Sequence, residues 1–308
     1  MVDQGDGMAY LVKSPGSCGE FIQGYMEGYS FMVTCPVNRY SYAMSGMKKD
    51  RSASPLPPKA EQARIRTLSA WGKHPGEVPV RLSSFIPAGK GMASSTADIS
   101  AVCQAAALAC GHVLTSREIA ETALSIEPSD ATFFQGIVEF DYRKGTVISE
   151  WGHCPDMKIL VFDCGGQVDT MQFNRRAGLT DLQKKNESSM RKAVNLFREG
   201  LRSQSLDLIG RAATVSAFAN QSILHKQQLP RLYEAGKSAG STGVIAAHSG
   251  TVLGLIFPPD AELRKAAAAV QAAFQEGLEY LDCVRLVNDG LTYKECDDNE
   301  FPAGPSRR

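Results

Sequence analysis

One stretch constrains this chain more than any other: Pro87-Ala88-Gly89-Lys90-Gly91-Met92-Ala93-Ser94-Ser95-Thr96-Ala97-Asp98. It follows a strand-like run from Val78 to Ile86 and opens an Ala-rich helix that runs to about Cys110. Gly89 and Gly91 remove side chains where a backbone must approach a ligand closely. The first N–H groups of a helix have no partner within it, and the helix dipole favours an anion beside them. A strand, a Gly-rich turn and Ser-Ser-Thr at a helix start together make a phosphate cradle, with hydroxyls placed to reach a metal ion. The cradle is not a Walker A loop, since no G-x-x-x-x-G-K-[ST] occurs in the chain.

The rest of the chain sets the frame. At 308 residues it is long enough for two domains or one large one. Lys+Arg and Asp+Glu are 33 each, so no global field draws it to nucleic acid or to a membrane surface. Eight cysteines lie at 18, 35, 103, 110, 154, 164, 283 and 296 without a C-x-x-C pair. Such scatter reads as reduced thiols, neither a disulfide framework nor a zinc site. No apolar run reaches membrane-spanning length and the N-terminus lacks a signal-peptide core, so a cytoplasmic protein is expected.

Taken in order, residues 10–13 form a strand that should break at Ser14-Pro15-Gly16, and the Gly-rich run to Gly24 should be irregular. Strands are expected at 29–35 and 38–45, a mobile loop over 46–58, and a helix from Lys59 to Trp71 closed by Gly72. Thr115-Ser116-Arg117-Glu118 is a capping box for a helix to about Ile126, which Pro128 ends. A hairpin over 136–142 and 146–151 follows. From Met157 the expected order is a buried strand at 158–163, helices near 180–199, 204–223 and 230–239, strands at 243–247 and 251–257, a helix at 260–276 and a strand at 283–288. Without the extra helices this is β-α-β-β-α-β, the ferredoxin-like order, and a domain boundary is placed near residue 155. The histidines at 74, 112, 153, 225 and 248 lack ligand spacing and read as surface or core residues.

The order Pro-x-Gly-x-Gly-Met-Ala-Ser-Ser over 87–95 resembles the central ATP-binding motif of the GHMP kinases, P-x-G-x-G-L-[AG]-S-S-[AS], with Met92 for Leu and Thr96 for Ala or Ser. Pro15-Gly16-Ser17-Cys18-Gly19-Glu20 resembles that family's N-terminal segment. Ser238 to Gly243, with His248-Ser249-Gly250-Thr251, stands where its late Gly-rich loop is expected. The longer blocks Ser125-Ile126-Glu127-Pro128-Ser129-Asp130, Asp163-Cys164-Gly165-Gly166-Gln167-Val168-Asp169-Thr170 and Ala247 to Thr251 are similar to the PduX-type L-threonine kinases of adenosylcobalamin synthesis.

The resemblance implies an α+β GHMP kinase fold. An N-terminal domain like ribosomal protein S5 domain 2 would cover 1–155 and a ferredoxin-like C-terminal domain with extra helices 156–308. It implies phosphorylation of the L-threonine side-chain hydroxyl by ATP with Mg²⁺, the product feeding the aminopropanol phosphate of the cobalamin nucleotide loop. A homoserine or isoprenoid alcohol kinase is the alternative, and a silent binding protein of this fold a lesser one. A small-molecule partner is implied, with the protein monomeric or dimeric. Pro87, Ala88, Gly89, Lys90, Gly91, Met92, Ala93, Ser94, Ser95 and Thr96 would hold the nucleotide, and Asp130 would face the acceptor hydroxyl. Lys90 would add charge near the phosphates. Ser95 and Glu121, or Glu127 in its place, would hold magnesium. Glu20, Asp169 and Asp98 are candidates for the acceptor's ammonium, and Arg175 or Arg176 for its carboxylate.

Overall fold

A computed structural model describes residues 9–45, 54–169, 172, 173, 175–274 and 276–304. The sequence expectation fails first at the N-terminus. Residues 10–26 do not break at Ser14-Pro15-Gly16: β1 runs without interruption from Ala9 to Met26, paired with β2, Tyr29–Ser45. β2 is likewise one strand where two were expected. The Pro and Gly signals are absorbed as bulges, with register shifts at Pro15/Gly16, Ser17/Glu20 and Glu20/Ile22. On its other flank β1 pairs only over residues 9–13 and at Glu20, so Pro15 deprives no ladder of a donor. Gly19 takes φ +62° in the bulged stretch, and a Cβ there would stand 2.7 Å from the Ala247 nitrogen.

Residues 46–53 of the expected loop lie outside the described residues, and Pro58 already begins α1, Pro58–Ser69. β3 spans Val80–Ser84, α2 Ser94–Ala109 and α3 Ser116–Leu124. The Thr115–Glu118 capping box of α3 is formed in both directions. β4, Ile137–Asp141, and β5, Thr146–Gly152, make the expected hairpin.

The second half opens with β6, Lys158–Asp163. The helix expected over 180–199 is two: α4, Leu179–Lys185, and α5, Glu187–Ser203. Asn186 separates them at φ −94°, ψ 6°, its amide donating to the Ala219 carbonyl at 2.8 Å, a tertiary contact with the end of the helix over 206–219. Then come α6, Leu206–Ala219, α7, Leu229–Ser238, β7, Gly243–Ala246, β8, Val252–Phe257, α8, Leu263–Ala272, and β9, Glu279–Arg285. A further strand, β10, Thr292–Cys296, was not foreseen; its mostly exposed, polar residues carry no alternation, and only pairing with residues 9–13 of β1 orders it.

The strand order is β5-β4-β2-β1-β7-β8-β6-β9, with β3 on β2 and β10 on β1. Within it β7-β8-β6-β9 is the antiparallel ferredoxin-like arrangement. β6 shows why it reads as a continuous apolar run. Ile159 and Val161 pack in the core beneath α5 and α6, while Leu160 and Phe162 pack on the opposite face with α7 and α8. α2 is buried along almost its whole length, and its alanines let β1, β2 and α1 approach closely. The strands of the two halves are joined by the β1–β10 ladder, by a bridge between Val37 and Leu286, and by the bridge from Glu20 to Ala246. That last bridge stands at the functional site.

Candidate active site

The loop before α2 is pinned from both sides. Ser17 N–H donates to the Met92 carbonyl at 2.9 Å, and the N–H groups of Thr251 and Val252 donate to the Lys90 carbonyl at 2.9 and 3.2 Å. Met92 is buried in the main core with Ile86 and Cys18. Gly91 and Gly250 face each other so closely that a Cβ on Gly91 would lie 2.6 Å from the Ala247 Cβ and 2.7 Å from the Gly250 Cα. Gly89, Gly91 and Ala93 all have positive φ, at 73°, 82° and 56°. For Ala93 this conformation is uncommon and carries strain, of the kind that concentrates at functional sites. No side chain caps α2, so its first N–H groups point outward, with the helix dipole behind them.

These groups line a cavity of about 590 Å³. Ser94, Ser95 and Thr96 form one wall; Glu127, Pro128 and Asp130, from the turn after α3, form another; Glu20, Lys59, Gln167, Asp169 and Ser249 complete it. Asp130 is tied to the helix start by its own N–H, which donates to Thr96 Oγ1 at 3.2 Å. Burial pushes the Asp130 carboxyl well above its usual range, and the neighbouring Glu20 and Glu127 add to the rise. Glu127 Oε2 pairs with Lys59 Nζ at 2.5 Å. Glu20, at its bridge to Ala246, accepts from the His248 backbone N–H at 2.8 Å and lies 3.1 Å from its Nδ1.

The structure thus gathers Glu20, Ser94, Ser95, Thr96, Glu127, Asp130 and Asp169 around one cavity. Glu121 is exposed on α3 and outside the lining; Glu127, past the end of the helix, is brought in instead. Asp98 is buried inside α2, where it accepts from Ser41 at 2.5 Å, and faces no ligand space. Lys90 turns away from the cradle: its ammonium pairs with Asp163 at 2.5 Å and donates to the Gly166 carbonyl. Although burial alone would raise the Asp163 carboxyl, the Lys90 and Gly165 hydrogen bonds hold it below its usual value. Arg175 is exposed and outside the lining, and Arg176 donates to the Ile223 carbonyl. Of the late glycine segments, 248–251 reaches the loop, while Gly243 packs against Gly210.

Two residues escaped the sequence reading. His248, read as a surface or core histidine, is buried and bonded to Glu20 and, through Nε2, to Ser216 at 2.9 Å. Lys226 is 5% exposed, lines a second cavity of about 360 Å³ that shares Gln167 and Val168 with the first, and donates to the Ala247 carbonyl at 2.7 Å. Burial lowers its pKa to about 8. A lone Lys in His-Lys-Gln-Gln carries no signal in sequence; only the fold shows that it is buried.

An uncapped helix start and a buried carboxyl thus share one cavity. Residues 60–135 match the GHMP kinases N terminal domain and residues 197–276 the GHMP kinases C terminal domain. The chain belongs to the GHMP kinases, ATP-dependent enzymes. An L-threonine kinase of Salmonella typhimurium (strain LT2) is 35% identical over 260 residues, 82% of this chain and 84% of that one. An L-threonine kinase of Citrobacter freundii is 33% identical over 80% of this chain and 85% of its own. In fold, the chain superposes on a homoserine kinase from Cytophaga hutchinsonii with TM-score 0.63 at 16% identity, covering 96% of this chain and 99% of that one. No helix among the described residues is long and apolar enough to cross a membrane.

Proposed function

We propose that this kinase transfers the γ-phosphoryl group of ATP to the side-chain hydroxyl of L-threonine, giving O-phospho-L-threonine. The observation that carries this is the single cavity in which Asp130 and Glu20 face the uncapped start of α2; the two L-threonine kinase relatives support the acceptor. The nucleotide phosphates lie on the N–H groups of 94–96. Phosphoryl transfer passes through a loose transition state, so positioning and charge neutralisation matter more than early deprotonation. Asp130 orients the acceptor hydroxyl and takes its proton late, as the oxygen bonds to phosphorus and the bond to the ADP oxygen breaks.

Magnesium fits the donors present. Among the described residues no group of three or more His, Cys, Asp or Glu could hold a metal, whereas magnesium asks only one or two protein oxygens beside phosphate and water. Ser95 and Glu127 are those oxygens, and the ion would supply charge neutralisation of the phosphates. The product is an aminopropanol phosphate precursor for the cobalamin nucleotide loop, made in the cytoplasm.

The acceptor's two charges have partners one peptide unit apart. Glu20 accepts from the N–H of the 247–248 peptide, and Lys226 donates to its carbonyl. A zwitterion lying along that peptide places its ammonium at Glu20 and its carboxylate at Lys226. Lys226 binds as the cation, so the KM for threonine should climb as pH rises through about 8, and Lys226→Met should raise KM roughly 10–100-fold with a smaller change in kcat. A flat KM between neutral and alkaline pH would remove Lys226 from the site.

The deciding assay is ADP release with Mg-ATP and L-threonine, L-serine, L-homoserine or mevalonate, with Asp130→Ala as control. Threonine-dependent turnover lost in the variant is expected. Preference for homoserine or mevalonate would keep the fold and overturn the acceptor.

A further inference from the structure

The cavity at the start of α2 is short of positive charge. Four carboxyl groups line it, Glu20, Glu127, Asp130 and Asp169, and among the described residues one cationic side chain does, Lys59. The phosphates of ATP bring further negative charge into the same space, and like charges crowded in a partly enclosed site repel strongly. The two lysines nearest in the fold do not make up the deficit. Lys90 is spent on Asp163 and the Gly166 carbonyl, and Lys226 lines the second cavity, on the Ala247 carbonyl.

Lys59 sits where helix α1 gains nothing from it. Pro58 begins that helix, so Lys59 falls in its first turn, where the helix dipole disfavours a cation. Its side chain reaches instead across to the turn after α3 and pairs with Glu127 Oε2 at 2.5 Å. The partners differ in burial: the Glu127 side chain is 4% exposed and that of Lys59 45%. An ammonium carries three N–H donors. Glu127 takes one, and the others have no acceptor among the described residues. Glu127 stands three residues before Asp130, whose own N–H is on Thr96 Oγ1 at 3.2 Å. The ion pair therefore lies beside the junction of the α2 start with Asp130, where nucleotide and acceptor meet.

We propose that Lys59 is the cation that binds the γ-phosphoryl group of ATP. It keeps Glu127 on one N–H and donates the others to the γ-phosphate oxygens. Charge gathers on those oxygens in the loose transition state, and a fixed ammonium beside them stabilises it without transferring a proton. The inference rests on the reading above that the phosphates lie on residues 94–96, and is independent of which hydroxyl is the acceptor.

The test is calorimetric, on the full-length enzyme with magnesium and without acceptor. ADP and the non-hydrolysable ATP analogue with a β,γ-imido bridge are titrated into the wild type, Lys59→Met and Lys59→Arg. Lys59→Met should weaken the analogue about 10–100-fold, the usual worth of a hydrogen bond to a charged group, and leave ADP nearly unchanged; Lys59→Arg should restore most of the loss. Because Lys59→Met also leaves Glu127 without its cation, the same comparison is made in a Glu127→Gln background, where the analogue should be weakened again by a similar factor. Equal weakening of ADP and the analogue, no weakening of either, or a loss that disappears in the Glu127→Gln background would each overturn the γ-phosphate role while leaving the nucleotide site in place. A wild type that binds neither nucleotide, or binds both undisturbed when Ser94 and Ser95 are replaced by Pro, would overturn the reading of the cavity, and the role of Lys59 with it.

Discussion

Asp130→Asn should lower kcat by about 10²–10⁴-fold and yet give a protein that melts at a higher temperature. Both effects have one origin. Asp130 shares one cavity with Glu20 and Glu127, and burial, with those neighbouring carboxylates, pushes its carboxyl well above the usual range. A carboxyl with a raised folded-state pKa is most favourable to folding when protonated, at low pH. As pH rises from the ordinary carboxylate value through the raised one, the unfolded state ionises first and stability falls. The amide removes that loss at neutral pH while keeping the shape of the side chain. Relief of about 1 kcal/mol would raise Tm by roughly 2–4 °C in a chain this size, and the gain should vanish when both proteins are melted below the ordinary carboxylate range. ADP-release kinetics and melting curves at two pH values check both halves. An Asn variant that is inactive and also less stable at neutral pH would show that Asp130 is held by compensating interactions.

Gly91→Ala should destroy nucleotide binding and destabilise the fold by about 3 kcal/mol or more, the sum of a left-handed backbone penalty and overpacking. Gly91 has φ +82°, where a Cβ already costs, and that Cβ would lie 2.6 Å from the Ala247 Cβ and 2.7 Å from the Gly250 Cα. Neither neighbour can move cheaply, since the 247–252 turn is bonded to Lys90 and to Glu20. Relief would come from displacing the cradle itself. Gly89→Ala makes a useful contrast: its φ is +73°, but its nearest neighbour is the Gln167 side chain at 3.8 Å. It should cost only the backbone term, about 1–2 kcal/mol. Chemical denaturation and ATP titration of the two variants separate crowding from conformation; equal losses would mean that the glycine-to-glycine contact is dispensable.

Local signals were readable where they were self-contained. The capping box of α3 needs only Thr115 and Glu118, three residues apart in one turn, and it forms as expected. The buried strand at 158–163 and the ferredoxin-like order followed from apolar runs and their spacing. The run from Ser14 to Gly24 misled because its turn residues compete with fourteen residues' worth of partner strand, and the ladder with β2 won. Asp98 misled for a related reason: one turn past Ser94 and Ser95 on the same face of α2, it already lies inside the protein, where it accepts from Ser41, while Ser94 and Ser95 at the helix start line the cavity.

The chain by itself determined its family, because the motifs that carry it are contiguous residues whose chemistry does not depend on distant neighbours; the loop before α2 and Asp130 do line one cavity. Which carboxylate joins Asp130 and the cradle, Glu127 and not Glu121, was decided by where α3 stops. That Lys90 would spend its charge on Asp163, that Lys226 would be buried as a cation, and that His248 would fix Glu20 were decided only by tertiary structure. Those pairings join residues some 70 to 230 positions apart, or turn on burial, and neither can be read from neighbours along the chain.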